Sequence, residues 1–122
     1  MTYNDLLTRV IDDGIAAARV SYATKPDHLR GSVDGFNVCR GKPPAEIEEL
    51  WRTAGRTIDL DGPIDEYWYG RCFQLELEWV LNVISMAVVQ AGGDPLLSWL
   101  PTMRGAIKYA EIVGVREQVA TP

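Results

Sequence analysis

Apolar residues recur along this chain at the three- and four-residue spacing of amphipathic helices, and the alternating runs typical of strands are almost absent. We therefore expect an all-α fold, a single-domain bundle of five or six helices that spans 1–122 with 116–122 frayed. The spacing predicts helices over 3–22, 26–40, 44–54 and 64–91, then shorter helices near 95–100 and 103–113.

Segment 64–91 is predicted to be the long central helix of the bundle, roughly 40 Å in length at 1.5 Å per residue. Its polar residues fall within a narrow arc expected to face water: Arg71, Gln74, Glu78, Asn82 and Ser85. Apolar residues cover most of the remaining circumference, and they include Trp68 and Tyr69, which we expect to face the core. A helix this apolar must be surrounded by its own domain or by a partner chain.

Glu76 lies almost opposite the polar arc of this helix. Its neighbours at helical spacing are Cys72, Phe73, Trp79 and Val80. A buried carboxylate must be paired, protonated or open to a wet cavity. Three interpretations remain open: a buried ion pair, a polar contact at an interface, or a functional carboxylate in a pocket. For the ion pair, the predicted partner is Arg40, which falls on the apolar face of the second helix.

The second helix carries two glycines at i and i+4, Gly31 and Gly35. Each glycine weakens an isolated helix by about 1 kcal/mol relative to alanine. The absence of side chains on one helical face also lets another helix approach closely. This pair therefore predicts a tight helix–helix contact.

The charge of the chain is acidic and unevenly distributed. The formal net charge is −5, and residues 57–100 hold seven acids against one base, Arg71. Such a balance disfavours direct binding to nucleic acid, because the phosphate backbone is repelled. The acidic segment 59–66 is the candidate surface for a basic protein partner, through Asp59, Asp61, Asp65 and Glu66.

The two cysteines, Cys39 and Cys72, are too few for a disulfide framework and are expected to be reduced and buried. No apolar run approaches the roughly 20 residues of a membrane span. The first residues lack the basic and apolar regions of a secretory signal. We therefore expect a cytoplasmic protein without a membrane association.

The sequence offers little chemistry of the kind that enzymes use. His28 is the single histidine, and with two separated cysteines it gives no metal-ligand spacing. The loop "DLDG" at 59–62 has only the first ligands of a calcium loop. Glycine-rich phosphate loops and nucleophile motifs are missing from the sequence. We predict no cofactor and no metal site, and we lean against an enzyme.

Two functional hypotheses follow. The leading one is a small non-catalytic interaction protein, regulatory or inhibitory, that binds a basic protein partner and self-associates as a homodimer. Its four tryptophans would suit interface anchors as well as a core. The alternative is a protein that binds or hydrolyses a small molecule, such as a nucleotide, in a cleft lined by Glu76, Arg40, Tyr69 and His28.

Overall fold

The computed structural model describes residues 3–90 of the chain, and the surroundings of side chains from residue 4 to residue 86. The described part contains helices joined by short connections and no strands, which confirms the all-α class. Its helices are α1 (Tyr3–Ser21), α2 (Pro26–Val38), α3 (Pro44–Thr57) and α4 (Ile64–Gln90). The helices predicted near 95–100 and 103–113, and the frayed end, lie outside the described residues.

The observed helix bounds agree with the predicted ones to within three residues. The largest difference is at the end of α3, where Gly55 does not stop the helix. The hydroxyl of Thr57 donates a hydrogen bond to the carbonyl of Ala54 at 3.1 Å and closes the last turn. Gly55 is exposed within the helix, and a Cβ there would lie 2.5 Å from Nε2 of Gln74 on α4, the end of a flexible side chain that can rotate away. The helix therefore continues past a glycine that was expected to end it.

The predicted close approach of α2 to another helix is confirmed, and its partner is α4. A Cβ on Gly31 would collide with the backbone carbonyl of Tyr69, and one on Gly35 would lie 2.7 Å from the carbonyl oxygen of Phe73. The two backbones therefore touch directly, with glycine as the only residue that fits. This contact fixes the position of α2 along the first half of α4.

The core lies between α4 and the inner faces of the other three helices. α1 contributes Leu7 and Ile11, and the ring of Phe36 on α2 packs against Gly14 of α1. The buried apolar cluster consists of Leu7, Val10, Ile11, Phe36, Cys39, Ile47, Leu77, Val80, Leu81, Val83, Ile84 and Met86. Trp51 and Trp79 pack against this cluster while remaining partly exposed. Neither indole is fully sealed in the core.

The water-facing arc predicted for α4 is wrong over its second half. Asn82 and Ser85 are fully buried, and their polar side-chain atoms have no hydrogen-bond partner among the described residues. Conversely, Trp68 was predicted to face the core, yet it is 38% exposed, as Leu75 is at 37%. Both residues border the polar arc on the helical wheel. A modest difference in how the neighbouring helices pack therefore leaves these two side chains uncovered.

None of the helices in the described range combines the length and the apolarity needed to cross a membrane.

Candidate functional site

A cleft of about 710 Å³ opens at one end of the bundle, where the start of α4 meets the end of α3. The turn-rich connection between these two helices forms one wall, and α2 reaches the cleft through Arg30. The lining residues are Arg30, Leu50, Thr53, Ala54, Thr57, Ile58, Asp59, Gly62, Asp65, Glu66, Tyr67, Tyr69, Gly70 and Phe73. The cleft therefore combines an apolar base with polar and charged edges.

Two aromatic rings of α4, Tyr69 and Phe73, contribute to the apolar base, with their centroids 6.3 Å apart. The hydroxyl of Tyr69 donates a 2.6 Å hydrogen bond to Oδ2 of Asp34 on α2. This hydrogen bond is the main reason that the pKa of Tyr69 is raised, and burial and the charge of Asp34 act in the same direction. The ring is thus held in place by α2.

Three carboxylates lie along the cleft: Asp59, Asp65 and Glu66. Asp65 and Glu66 occupy the first turn of α4, where negative charge is favoured by the helix dipole. Asp59 precedes them in the connecting loop, and its Oδ1 accepts a hydrogen bond from the backbone N–H of Asp61 at 3.0 Å. This local bond orients Asp59, so the acidic edge is partly preorganised.

Arg30 is the basic residue of the cleft lining. Its guanidinium carbon lies 4.4 Å from the centroid of the Tyr69 ring, within the range of a cation–π contact. One of its nitrogens is also 3.4 Å from Oδ1 of Asp27, a turn earlier on α2. The lining therefore carries three carboxylates and one guanidinium, an excess of negative charge.

Four of the residues singled out in the sequence meet in this cleft: Tyr69, Asp59, Asp65 and Glu66. The acidic segment and the aromatic candidate had been assigned to different functions, and the fold places them side by side. Asp61 is exposed beside the lining and contributes its backbone N–H to Asp59. The predicted acidic surface and the candidate ligand pocket thus overlap.

Arg40 lies elsewhere, and the structure gives it a different partner from the predicted one. Helix α2 ends at Val38, so Arg40 sits in the following turn. Its guanidinium donates to Oδ1 of Asp12 on α1 at 2.7 Å and to Oδ1 of Asn37 at 2.9 Å. Arg40 therefore joins α1 to the end of α2, where the sequence had suggested a bond to Glu76.

Glu76 is a half-buried residue of α4 at the contact with α2, and it lies outside the cleft lining. Its Cβ lies 3.2 Å from the position that a Cβ on Gly35 would take, so it belongs to the close α2–α4 contact. Burial raises the pKa of Tyr22 and of the Cys72 thiol, and in both cases the charge of Glu76 adds to the rise. The carboxylate therefore has polar neighbours in what the sequence presented as an apolar face.

His28 belongs to a row of aromatic rings on the surface. It stacks on Trp68 with centroids 4.5 Å apart, and the centroid of the Tyr22 ring, tilted against it, is 5.4 Å away. Trp68 remains 38% exposed beside His28. Among the ligand residues suggested by the sequence, only Tyr69 is part of the cleft lining.

Arg30 and Asp34 are the functional candidates that sequence reasoning missed. They are spaced i, i+4 on α2 and would have been taken for an ordinary exposed pair. The available signal was indirect, because Gly31 and Gly35 mark the face of α2 that meets α4, and these two residues immediately precede the glycines. Their contact with Tyr69 depends on that packing.

The chemistry of the cleft favours binding of a cation. Within the described residues, no group of three histidine, cysteine or acidic side chains is arranged to hold a metal ion. A lining that holds both carboxylates and aromatic rings suits the positive charge and aliphatic stem of lysine or arginine side chains. A hydroxyl nucleophile needs a neighbouring base. The aliphatic hydroxyls of the lining belong to Thr53 and Thr57, and no histidine lines the cleft.

Comparison of the chain with protein-family models, with curated proteins and with solved structures gives no match, so the cleft is interpreted from its own geometry.

Proposed function

We propose that the protein is a non-catalytic binding protein whose cleft receives a basic segment of a protein partner. The observation that carries this proposal is the placement of Asp59, Asp65 and Glu66 along a cleft with a Tyr69–Phe73 base. The carboxylates would attract lysine or arginine, and the rings would pack against their methylene groups. Binding of this kind suits a regulator or an inhibitor that covers a basic site on its target.

The size of the cleft supports a side-chain or short-segment ligand. A volume of about 710 Å³ lies within the roughly 300–1,000 Å³ of typical ligand sites. The acids are exposed, so their attraction acts over a distance and speeds association more than it tightens the complex. We therefore expect rapid binding that weakens as salt is added.

The test uses a fluorescent hexalysine peptide as the probe and measures its affinity by anisotropy at low and physiological ionic strength. In the test variant, Asp59→Asn, Asp65→Asn and Glu66→Gln are combined. We expect the affinity to fall by roughly tenfold, since several exposed ion pairs of a few tenths to 1 kcal/mol each are lost. The dependence of affinity on salt should become shallower.

A matched control separates the cleft from the overall charge of the protein. Asp5→Asn, Asp13→Asn and Glu46→Gln also remove three exposed carboxylates, on α1 and α3 and outside the cleft. This control should lose clearly less affinity than the test variant. Equal losses in the two variants would mean that hexalysine senses only net charge, and the proposal would fail.

The alternative of a small-molecule site or hydrolase has weaker support. Of Glu76, Arg40, Tyr69 and His28, only Tyr69 lies in the cleft, and the other three are engaged on different faces. A phosphate-bearing ligand such as a nucleotide would also meet three carboxylates there. The acidic lining therefore favours the protein-binding proposal.

A second candidate property is self-association through α4. Ile64, Trp68 and Leu75 share one face of this helix and are all exposed, with Ile64 at 68%. We propose that this stripe is covered by a second copy of the chain in a homodimer. We also propose a cytoplasmic location, in which the free thiols Cys39 and Cys72 would stay reduced.

A further inference from the structure

One cation already occupies the aromatic surface of the cleft, and it belongs to the chain itself. The guanidinium of Arg30 lies over the Tyr69 ring at 4.4 Å from its centroid. Because Tyr69 is tied to Asp34 through its hydroxyl, the ring face is held towards Arg30. A lysine or arginine of a partner would seek the same ring face.

We infer that Arg30 is an internal competitor, which a cationic side chain of the partner displaces from Tyr69 when the cleft is filled. This inference rests on the proposed function, since it concerns the occupant of the same cleft. It makes Arg30 the residue that sets the affinity and the charge selectivity of the site. Weakly basic or neutral ligands would fail to displace it.

The surroundings of Arg30 suit displacement. Its side chain is more than half exposed, and its ion pair with Asp27 is long, at 3.4 Å. Exposed ion pairs and cation–π contacts are each weak, so release costs little. Asp27 lies one turn away on α2 and would hold the released guanidinium at the mouth of the cleft.

The backbone contact between α2 and α4 sets the positions of Arg30 and Tyr69. Gly31 follows Arg30 directly and touches the backbone of Tyr69 itself. The backbones that carry the cation and the ring are therefore locked together, and only the flexible arginine side chain is free to move. A displaced Arg30 requires no helix to shift.

The test measures the affinity of hexalysine for Arg30→Gln and for a matched control, Arg56→Gln. Arg56 is an exposed base near the end of α3 and outside the lining, so both substitutions remove one positive charge from this end of the molecule. We expect Arg30→Gln to bind roughly threefold more tightly than the control, which is the scale of one exposed cation–π contact. In a Tyr69→Leu background this difference should disappear.

A spectroscopic measurement tests displacement directly. In the free protein, the ring current of Tyr69 should shift the side-chain proton resonances of Arg30 upfield, and saturating hexalysine should remove that shift. A shift that persists at saturation would overturn the inference, as would equal affinities of Arg30→Gln and Arg56→Gln. A loss of affinity in Arg30→Gln would also overturn it, because Arg30 would then help to bind the ligand.

The outcomes separate this inference from the function on which it rests. If the carboxylate variants weaken binding and Arg30→Gln matches its control, the cleft binds cations and only the competition is wrong. If neither the wild type nor Arg30→Gln binds hexalysine, both the proposed function and the inference fail.

Discussion

Glu78 is less exposed in the fold than the sequence predicted, and this changes the pKa of its side chain. It was predicted in the water-facing arc of α4, and the structure makes it half-buried. Burial raises the pKa of its carboxyl above the ordinary value of 4.5, because the charged form loses hydration. The nearby charge of Arg71 lowers the pKa but does not cancel this effect.

The raised pKa predicts a pH-dependent stability. The native state binds the Glu78 proton more tightly than the unfolded chain does, so this contribution is complete below the ordinary pKa and is lost as pH rises through the raised one. We expect Glu78→Gln to have a higher free energy of unfolding than the wild type at neutral pH, and little difference below the ordinary pKa. Urea denaturation across this pH range measures both values.

A second glutamate provides the comparison. Glu46 is exposed on α3, and Glu46→Gln removes a carboxylate from the surface. The neutral-pH gain should be specific to position 78. A gain of the same size in both variants would point to the net negative charge of the protein as its source, and burial of Glu78 would not be the cause.

The packing of α2 against α4 positions the residues of the cleft. Gly31 and Gly35 bring the two backbones into contact, so that α2 carries Arg30 and Asp34 to the ring of Tyr69. The pairing of small residues at i and i+4 was visible in the sequence. Its consequence for the cleft required knowledge of which helix lies opposite.

Gly31→Ala tests this contact. The added Cβ would collide with the carbonyl of Tyr69, which is backbone and cannot rotate away. We expect a loss of about 1–3 kcal/mol in the free energy of unfolding, the usual range for overpacking. Chemical denaturation gives this value.

Gly70→Ala is the matched control, because Gly70 is also helical but has room for a methyl group. Its Cβ would lie 3.6 Å from Cγ1 of Ile58, an ordinary contact. Here the better helix propensity of alanine should stabilise the protein by about 0.5–1 kcal/mol. If both alanine variants behaved alike, helix propensity would dominate and the tight contact would carry no energetic weight.

Prediction from sequence succeeded where the signal was local. Apolar residues at helical spacing placed all four helices of the described range correctly. It failed where neighbours decide the outcome. Asn82 and Ser85 carry the residue types of a wet surface and are nevertheless buried, and Trp68 is apolar and nevertheless exposed.

The candidate site shows the same division. The acidic segment and Tyr69 were identified from residue type. Three of the four acids of that segment line the cleft. The assignment of Arg40 to Glu76 was based on wheel positions within separate helices, which carry no information on the distance between helices. Arg30 was missed for the same reason, since its contact with Tyr69 spans 39 residues of sequence.

At the scale of the whole molecule, the acidic cleft and the apolar stripe of α4 are distinct surfaces. The stripe of Ile64, Trp68 and Leu75 lies outside the cleft lining. Added salt does not weaken apolar association, whereas it weakens binding of a basic ligand to carboxylates. A change in salt concentration should therefore separate the proposed self-association from the proposed binding of a basic partner.

Self-association is tested by sedimentation velocity across a range of concentrations. We expect a dimer whose population does not fall with added salt, and we expect Trp68→Ser combined with Leu75→Ser to shift it to monomer. Val20→Ser is a suitable control, because Val20 is 81% exposed on α1 and does not belong to the stripe. A wild-type monomer at all concentrations would contradict the dimer.

The two buried cysteines have a practical consequence. Cys39 and Cys72 are almost fully inaccessible, and burial raises the pKa of Cys39 to about 12. The exposed thiolate is the nucleophile that attacks thiol reagents, so both buried cysteines should stay unreactive until the folded chain opens. Cys39 follows α2 and Cys72 lies within α4, so their labelling rates time the opening of two separate places. The two native cysteines can therefore report local unfolding at two positions without an engineered probe.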